Sequence, residues 1–100
     1  MEGVPAKSAD STGLSYEVRL RHVAQKTLDG LQDRDYKEVA ASISGLEENP
    51  RPPGVKKLTD SSLWRVRIGR YRVIYAINDG KRLVTVVRVA KRDENTYKGL

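Results

Sequence analysis

The segment that decides the fold is residues 64–77, which reads WRVRIGRYRVIYAI. Gly69-Arg70 suits a two-residue hairpin loop, because glycine at the first loop position favours a type II′ turn. Such a turn predicts four pairs across two strands, namely Ile68 with Tyr71, Arg67 with Arg72, Val66 with Val73, and Arg65 with Ile74. Since paired side chains share one face of a sheet, one face carries Arg65, Arg67 and Arg72. The other face carries apolar and aromatic residues: Trp64, Val66, Ile68, Tyr71, Val73 and Tyr75.

The three arginines make the first of these faces electrostatically unfavourable by itself. Arg67 and Arg72 are expected to lie directly opposite each other, and like charges at such positions destabilise a sheet. A polyanionic partner would offset this repulsion. The alternative is that these residues are solvated arginines on an ordinary exposed face.

The composition indicates one small domain that uses no cysteine chemistry. The chain has 100 residues, no cysteine and a single histidine, His22. These counts exclude a disulfide framework and a thiolate zinc site, and they argue against a histidine metal cluster. We therefore expect neither a metal nor a cofactor.

No apolar run approaches the ~20 residues that span a bilayer. The N-terminus also lacks the apolar core of a signal peptide. We expect a soluble protein of a reducing cytoplasm, without a membrane partner.

Charge is distributed unevenly along the chain. Residues 1–50 contain six Lys or Arg and nine Asp or Glu, whereas residues 51–100 contain thirteen and four. The net charge of +6 therefore comes entirely from the second half. This asymmetry predicts that the second half contacts a nucleic acid or another acidic partner.

The hydrophobic periodicity predicts the element order β-α-α-β-β-β. A flexible tail is expected at residues 1–13, a first strand at 14–20 and helices at about 22–31 and 36–48. A hairpin of two strands follows at about 63–77 and a last strand at 83–90. Residues 14–100 would then form a single α+β domain, a small twisted and mostly antiparallel sheet with two helices packed on one face. Tyr16 and Tyr36 are expected in the core, and Asp33 or Asp35 is expected to cap the second helix.

The last predicted strand is apolar on both faces except at Thr85 and Arg88, which predicts an interior position in the sheet. Its register is open, because a slip of one residue would move Arg88 from the core face to the arginine face. The Asp79-Gly80 pair before this strand predicts a type I′ turn.

The chain resembles the RelE/ParE superfamily of bacterial and archaeal toxins across about residues 14–97. The resemblance is carried by Asn-Pro-Arg-Pro at 49–52, Lys-Lys-Leu at 56–58, Trp-Arg-Val-Arg at 64–67, and Val-Ala-Lys-Arg at 89–92 with a tyrosine just beyond. Its most specific part is GRYRVIY at 69–75. The resemblance implies a RelE-like fold.

Members of this superfamily have two activities. RelE-type members are mRNA interferases that cleave mRNA in the ribosomal A site, whereas ParE-type members poison DNA gyrase and lack the basic catalytic set. The five positions of the RelE-type site are filled here by suitable residues: Arg65, Arg67, Arg72, Arg92 and Tyr97. This favours the RelE-type activity, with a gyrase inhibitor and a non-catalytic RNA-binding module as the alternatives.

The reaction that the resemblance implies is attack of an mRNA 2′-hydroxyl on the adjacent phosphate, without a metal. Two positions depart from the family pattern. Arg65 and Arg67 stand where the best-known member has lysines, and arginine cannot act as a general base because it does not lose its proton. Lys91 replaces a histidine that many relatives carry, which removes a group that titrates near neutral pH.

The resemblance also implies macromolecular partners. These are the ribosome, through its RNA and the A-site mRNA, and a RelB-like antitoxin that forms a hetero-oligomeric complex with the toxin. Seven further basic residues are expected to contact RNA or the ribosome, or else to be solvated charges: Lys56, Lys57, Arg70, Lys81, Arg82, Arg88 and Lys91.

Overall fold

The computed structural model describes residues 15–91, which form two helices and five strands. The elements are β1 (Glu17–Leu20), α1 (His22–Asp29), α2 (Asp33–Gly45), β2 (Lys56–Lys57), β3 (Leu63–Ile68), β4 (Tyr71–Asn78) and β5 (Leu83–Lys91). The predicted tail at residues 1–13 lies outside the described range.

The five strands form one mixed sheet in the order β1-β5-β4-β3-β2. β1 runs parallel to β5, and the other neighbouring pairs are antiparallel. β5 thus lies between β1 and β4, which confirms its predicted interior position. The predicted α+β class is confirmed as well, and Lys56–Lys57 adds a short edge strand.

The central hairpin has the predicted register. All four predicted pairs, from Ile68 with Tyr71 to Arg65 with Ile74, are formed between β3 and β4. Gly69 has a φ of +57°, whereas Arg70 is not among the residues with positive φ. This combination is the type II′ pattern that the glycine predicted.

Gly69→Ala is expected to destabilise the fold by about 1–2 kcal/mol, because an L-residue is strained at positive φ. A Cβ at this position would also lie 3.2 Å from Glu38 Oε1, the far end of a flexible side chain. Thermal unfolding of Gly69→Ala and of Gly69→Ala with Glu38→Ala separates the two effects. The double variant should recover little stability, and full recovery would show that the contact with Glu38, not the backbone, requires glycine.

Both helices pack on the face of the sheet opposite the arginines. The core combines Ala24 and Leu28 of α1 with Val39 and Ile43 of α2 and Leu46 just beyond it. These side chains meet the apolar residues that the three long strands direct to the same side: Val66, Ile68, Tyr71, Val73, Tyr75, Val84, Val86 and Val89. Tyr16, predicted in the core, and Trp64, predicted on the apolar face, are partly buried and pack against this core.

The prediction that Tyr36 belongs to the core is wrong, since 39% of its surface is exposed. α2 also begins at Asp33, three residues before the predicted start, and its N-cap residue Gln32 makes no side-chain cap. Asp33 and Asp35 lie in the first turn, where carboxylates favour the positive end of the helix dipole. Asp35 accepts a hydrogen bond from the Tyr71 hydroxyl at 3.0 Å, so this carboxylate joins the helix to the sheet.

The predicted type I′ turn at Asp79-Gly80 is also wrong. β4 and β5 are joined by a four-residue loop, residues 79–82, in which Arg82 has a φ of +51°. The side chain of Asn78 accepts a hydrogen bond from the Lys81 amide at 3.0 Å and thereby closes this wider loop. Asp79 is held in place by contacts with residues far away in the chain. Turn preferences that are read from the local sequence do not take such contacts into account.

These contacts form a cluster at the end of the sheet opposite the Gly69 turn. Arg51 donates two hydrogen bonds to Asp79, at 3.2 and 2.9 Å, and its guanidinium lies 5.0 Å from the centre of the Trp64 ring. The Tyr16 hydroxyl donates to the same carboxylate at 2.6 Å. These donors stabilise the charged carboxylate and hold the pKa of Asp79 below its ordinary value, whereas the same contact raises the pKa of Tyr16. The cluster therefore ties the start of β1 and the loop after α2 to the β4–β5 loop.

Neither helix within residues 15–91 is long and apolar enough to cross a membrane.

Candidate functional site

A β-bulge in β5 decides which face of the sheet receives Arg88. Ile74 of β4 pairs with Arg88, and the next residue, Tyr75, pairs with Val86. Val87 is thus the extra residue, and it reverses the alternation of side chains along β5. Arg88 consequently lies on the arginine face, while Val86 and Val89 both remain in the core.

The residue pairing arranges the arginine face in two rows that cross the strands. The transverse row consists of Lys56, Arg65, Ile74 and Arg88, one from each of β2, β3, β4 and β5. The hairpin row lies two residues closer to the Gly69 turn and consists of Arg67, Arg72 and Ala90. We call the five cations of these rows the basic face: Lys56, Arg65, Arg67, Arg72 and Arg88.

The hairpin row brings two guanidinium groups together. Arg67 and Arg72 are directly opposed, as predicted, and Cα atoms of such pairs lie about 4.5–5.5 Å apart. Arg65 is on the same strand and the same face, two residues from Arg67. Side chains this close can converge on one anion, and planar guanidinium groups match phosphate oxygens in bidentate geometry.

Burial differs sharply between the centre of the basic face and its ends. Ile74 has no exposed surface, Arg65 is only 9% exposed, and the Nε atoms of Arg65 and Arg72 are shielded from solvent. Lys56, Arg67 and Arg88 are exposed. Because charges interact more strongly where water is excluded, the centre of the face is the place where an anion would be bound most firmly.

On the side away from the Gly69 turn, the basic face ends at a row of uncharged residues. The next row across the strands contains Leu63, Ala76 and Thr85, which carry no charge. It ends at Arg19 of β1, whose Nε donates to Glu17 at 2.7 Å. The positive charge of this face of the sheet is thus concentrated in the two rows nearest the Gly69 turn.

The structure separates the other predicted RNA-contacting residues from this face. Lys57 and Lys91 pair with Trp64 and Tyr71, which places both lysines on the helix side of the sheet. Arg70 lies in the hairpin turn and lines a surface cavity with Asp33 and Asp35. The remaining two, Lys81 and Arg82, lie in the loop at the opposite end of β4.

Two of the five predicted catalytic residues, Arg92 and Tyr97, lie outside the described range. The structure brings the other three, Arg65, Arg67 and Arg72, onto one face, as the hairpin register predicted. Lys56 and Arg88 join them through pairings that hairpin geometry alone does not supply.

The chemistry available on the described part of this face is binding and charge stabilisation. The seven positions of the two rows contain four arginines, one lysine, one isoleucine and one alanine, so they offer neither a carboxylate nor an imidazole. Arginine retains its proton, so the four arginines can stabilise a negative charge but cannot accept a proton. Within residues 15–91 no group of three or more His, Cys, Asp or Glu side chains is placed to hold a metal ion.

Comparison with known proteins adds a family and several relatives. Residues 18–96 match the family described as the ParE toxin of the type II toxin-antitoxin system parDE. A sequence from Methanocaldococcus jannaschii assigned as the toxin RelE1 is 29% identical over 89 residues, covering 85% of this chain and 98% of that one.

Two solved structures combine a similar fold with comparable identity. The RelE–RelB complex of the archaeon Pyrococcus horikoshii has a chain that superposes with a TM-score of 0.72 at 28% identity, covering 80% of this chain and 98% of that one. The RelBE2 toxin-antitoxin complex of Mycobacterium tuberculosis gives a TM-score of 0.70 at 30% identity, covering 78% and 99%. The similarity thus extends over nearly the full length of each relative.

Proposed function

Because the chain belongs to the ParE toxin family of type II toxin-antitoxin systems, within the RelE/ParE superfamily, we propose that it is an mRNA interferase of the RelE type. It would cleave mRNA in the ribosomal A site and so inhibit translation in the cytoplasm. The observation that carries this proposal is the cluster of Arg65, Arg67 and Arg72 on one face of the sheet. A fold shared by proteins with different targets does not decide between them, so the residues of the site must.

The proposed reaction takes its nucleophile from the RNA. The 2′-hydroxyl oxygen attacks the adjacent phosphorus, and the bond from phosphorus to the 5′-oxygen of the next nucleotide breaks. The products are a cyclic 2′,3′-phosphate and a 5′-hydroxyl, and the proton lost by the 2′-hydroxyl is balanced by the proton gained by the leaving oxygen. This reaction does not call for a metal held by the protein.

Arg65, Arg67 and Arg72 would stabilise the negative charge that develops on the phosphorane. One fixed donor aimed at developing charge contributes roughly 3–4 kcal/mol to lowering the barrier. Arg92 is proposed to stabilise the leaving oxygen. Tyr97 is proposed to stack on a base or to accept the 2′ proton.

The arginines of the basic face cannot act as a general base, which makes the geometry of the bound substrate important. Holding the 2′-hydroxyl in line with the scissile phosphate can contribute as much as a catalytic group. The ribosome, which fixes the mRNA in the A site, would supply this positioning. Free RNA should therefore be cleaved much more slowly than ribosome-bound mRNA.

A RelB-like antitoxin is the proposed protein partner, in a hetero-oligomeric complex. The two solved relatives described above are complexes of a toxin with its antitoxin. An acidic or amphipathic segment that folds on binding would complement either the basic face or an edge of the sheet.

Inhibition of DNA gyrase is the second candidate function. It is favoured by the description of the matching family as ParE toxins. The presence of three clustered arginines together with Arg92 and Tyr97 argues against it, because the gyrase-directed type does without this basic set.

Mapping of 5′ ends on ribosome-bound mRNA tests the proposal. We expect new ends in the A site with the wild type and none with Arg72→Ala/Arg92→Ala. A matched control, Lys26→Ala/Lys37→Ala, removes two exposed cations of the helices, away from the basic face, and should cleave like the wild type.

Two other outcomes would contradict the interferase. Loss of gyrase supercoiling without new mRNA ends would establish the second candidate. Binding of the wild type to ribosomes with neither effect would leave a non-catalytic RNA-binding module.

A further inference from the structure

We propose that the mRNA backbone crosses the sheet along the transverse row, at right angles to the strands, with Lys56 and Arg88 binding the phosphates on either side of the scissile phosphate. This inference rests on the proposed interferase activity. It adds the direction of the substrate and assigns a binding role to two residues at opposite ends of the basic face.

The shape of the basic face sets this direction. Lys56 and Arg88 are separated by three strand spacings, about 14 Å, whereas the two rows lie only about 7 Å apart along the strands. Beyond the transverse row, the uncharged positions Leu63, Ala76 and Thr85 end the positive surface. A polyanion thus meets more positive charge by crossing the strands than by following them.

Burial places the scissile phosphate near the middle of this path. Arg65 is nearly buried beside the fully buried Ile74, and the opposed Arg67 and Arg72 lie one row away. Arg65 and Ile74 are the most desolvated part of the face, and the central group carries three of its four guanidinium groups. Lys56 and Arg88 flank it on both sides and are exposed, so each can reach a neighbouring phosphate.

Two other surface arginines, unlike Lys56 and Arg88, are held in ion pairs within residues 15–91. Arg19 is bound to Glu17 at 2.7 Å and Arg51 to Asp79 at 2.9 Å. Within the described part of the chain, neither Lys56 nor Arg88 takes part in an ion pair. Their charges are available to an external anion without the loss of an internal contact.

The bulge at Val87 strengthens the assignment of Arg88. Bulges interrupt the hydrogen-bond ladder, and they occur preferentially next to active sites, where they redirect a side chain. Here the redirected side chain is an arginine that completes a row already containing Lys56 and Arg65. The bulge therefore interrupts the strand pairing but adds the charge of Arg88 to the face proposed to bind the substrate.

The test combines charge removal on the RNA with charge removal on the protein. Ribosomes are programmed with mRNA that carries one uncharged methylphosphonate linkage, placed either immediately 5′ or immediately 3′ of the scissile phosphate. Cleavage rates are then measured for the wild type, Lys56→Gln, Arg88→Gln and the control Lys37→Gln, an exposed lysine of α2. All three positions are exposed, so the substitutions should not alter folding.

Each flanking linkage should slow the wild type about 10-fold, the loss expected for one hydrogen bond to a charged group. In Arg88→Gln one of the two linkages should cause no further slowing, and in Lys56→Gln the other linkage should cause none. Lys37→Gln should retain both effects in full.

The proposed path would be overturned if both linkages still slowed both variants about 10-fold, or if Lys56 and Arg88 coupled to the same phosphate. In that case the wild type would still cleave, and the proposed function would stand. Absence of cleavage by the wild type on unmodified mRNA would overturn the proposed function and this path together.

Discussion

Arg72→Ala is expected to slow cleavage of A-site mRNA by about 10²- to 10³-fold, the usual effect of removing one fixed donor from a site of developing charge. Arg72 lies opposite Arg67 across the hairpin, and its Nε is shielded from solvent. A half-buried guanidinium in this position interacts with a phosphorane more strongly than a solvated one would. Single-turnover cleavage on programmed ribosomes measures the effect.

The stability of this variant should hardly change. Removing one of two opposed like charges relieves a repulsion of roughly 0.2–1 kcal/mol, which offsets the loss of packing by the arginine stem. Thermal unfolding of the purified protein checks that activity is lost without loss of the fold. An Arg72→Ala protein that cleaves at the wild-type rate would exclude Arg72 from the catalytic group.

Arg72→Lys separates charge from geometry. Lysine keeps the positive charge but lacks the planar fork that engages two phosphate oxygens together. We expect this variant to cleave faster than Arg72→Ala and slower than the wild type. Equal rates for Arg72→Lys and the wild type would show that charge alone suffices at this position.

Tyr75→Ala is expected to lower the free energy of unfolding by about 3–5 kcal/mol, the cost of deleting a large buried aromatic ring. Tyr75 has no exposed surface, and it lies in the central strand of the sheet between the core residues of β3 and β5. For a domain of this size the loss corresponds to a decrease in Tm of about 10 °C or more. Urea denaturation and thermal unfolding both measure it.

Tyr75→Phe isolates the contribution of the hydroxyl. In the wild type this group donates a buried hydrogen bond of 2.7 Å to the carbonyl oxygen of Pro50. Phenylalanine keeps the ring but leaves that carbonyl without its donor, which costs about 1–3 kcal/mol. Ser44→Ala, an exposed change on α2, is the control and should stay within about 0.5 kcal/mol of the wild type.

The wild type and Tyr75→Phe should also differ in stability in alkaline solution. Burial raises the pKa of Tyr75 from its ordinary value of 10.0 to about 12, because the folded state disfavours the phenolate. The stability that this group contributes is therefore fully present below pH 10 and is lost as the pH rises through about 12. Tyr75→Phe should lose less stability than the wild type over this interval, and an equal loss would contradict the assignment.

The Tyr75 variants should affect stability, whereas the Arg72 variants should affect cleavage. Tyr75→Phe should cleave at the wild-type rate at temperatures where it is folded, since Tyr75 points to the helix side of the sheet. Arg72→Ala should cleave about 10²- to 10³-fold more slowly although it is folded. Together the variants separate support of the sheet from chemistry on its opposite face.

The sequence by itself determined the register of the central hairpin and the face that carries Arg65, Arg67 and Arg72. The reason is local, because a two-residue turn with glycine in its first position leaves only one pairing for the adjoining strands. Two helices and an interior last strand also followed from periodicity and apolar runs.

Only the tertiary structure decided the position of Arg88 and of Lys56. Valines occupy both faces of β5, so hydrophobic alternation cannot distinguish its registers, and the bulge at Val87 emerges only when β5 pairs with β4. Lys56 reaches Arg65 through an edge strand separated from β3 by a loop. Contacts between residues far apart in the chain thus completed the basic face, and similar contacts from Arg51 and Tyr16 to Asp79 overrode the local turn preference of Asp79-Gly80.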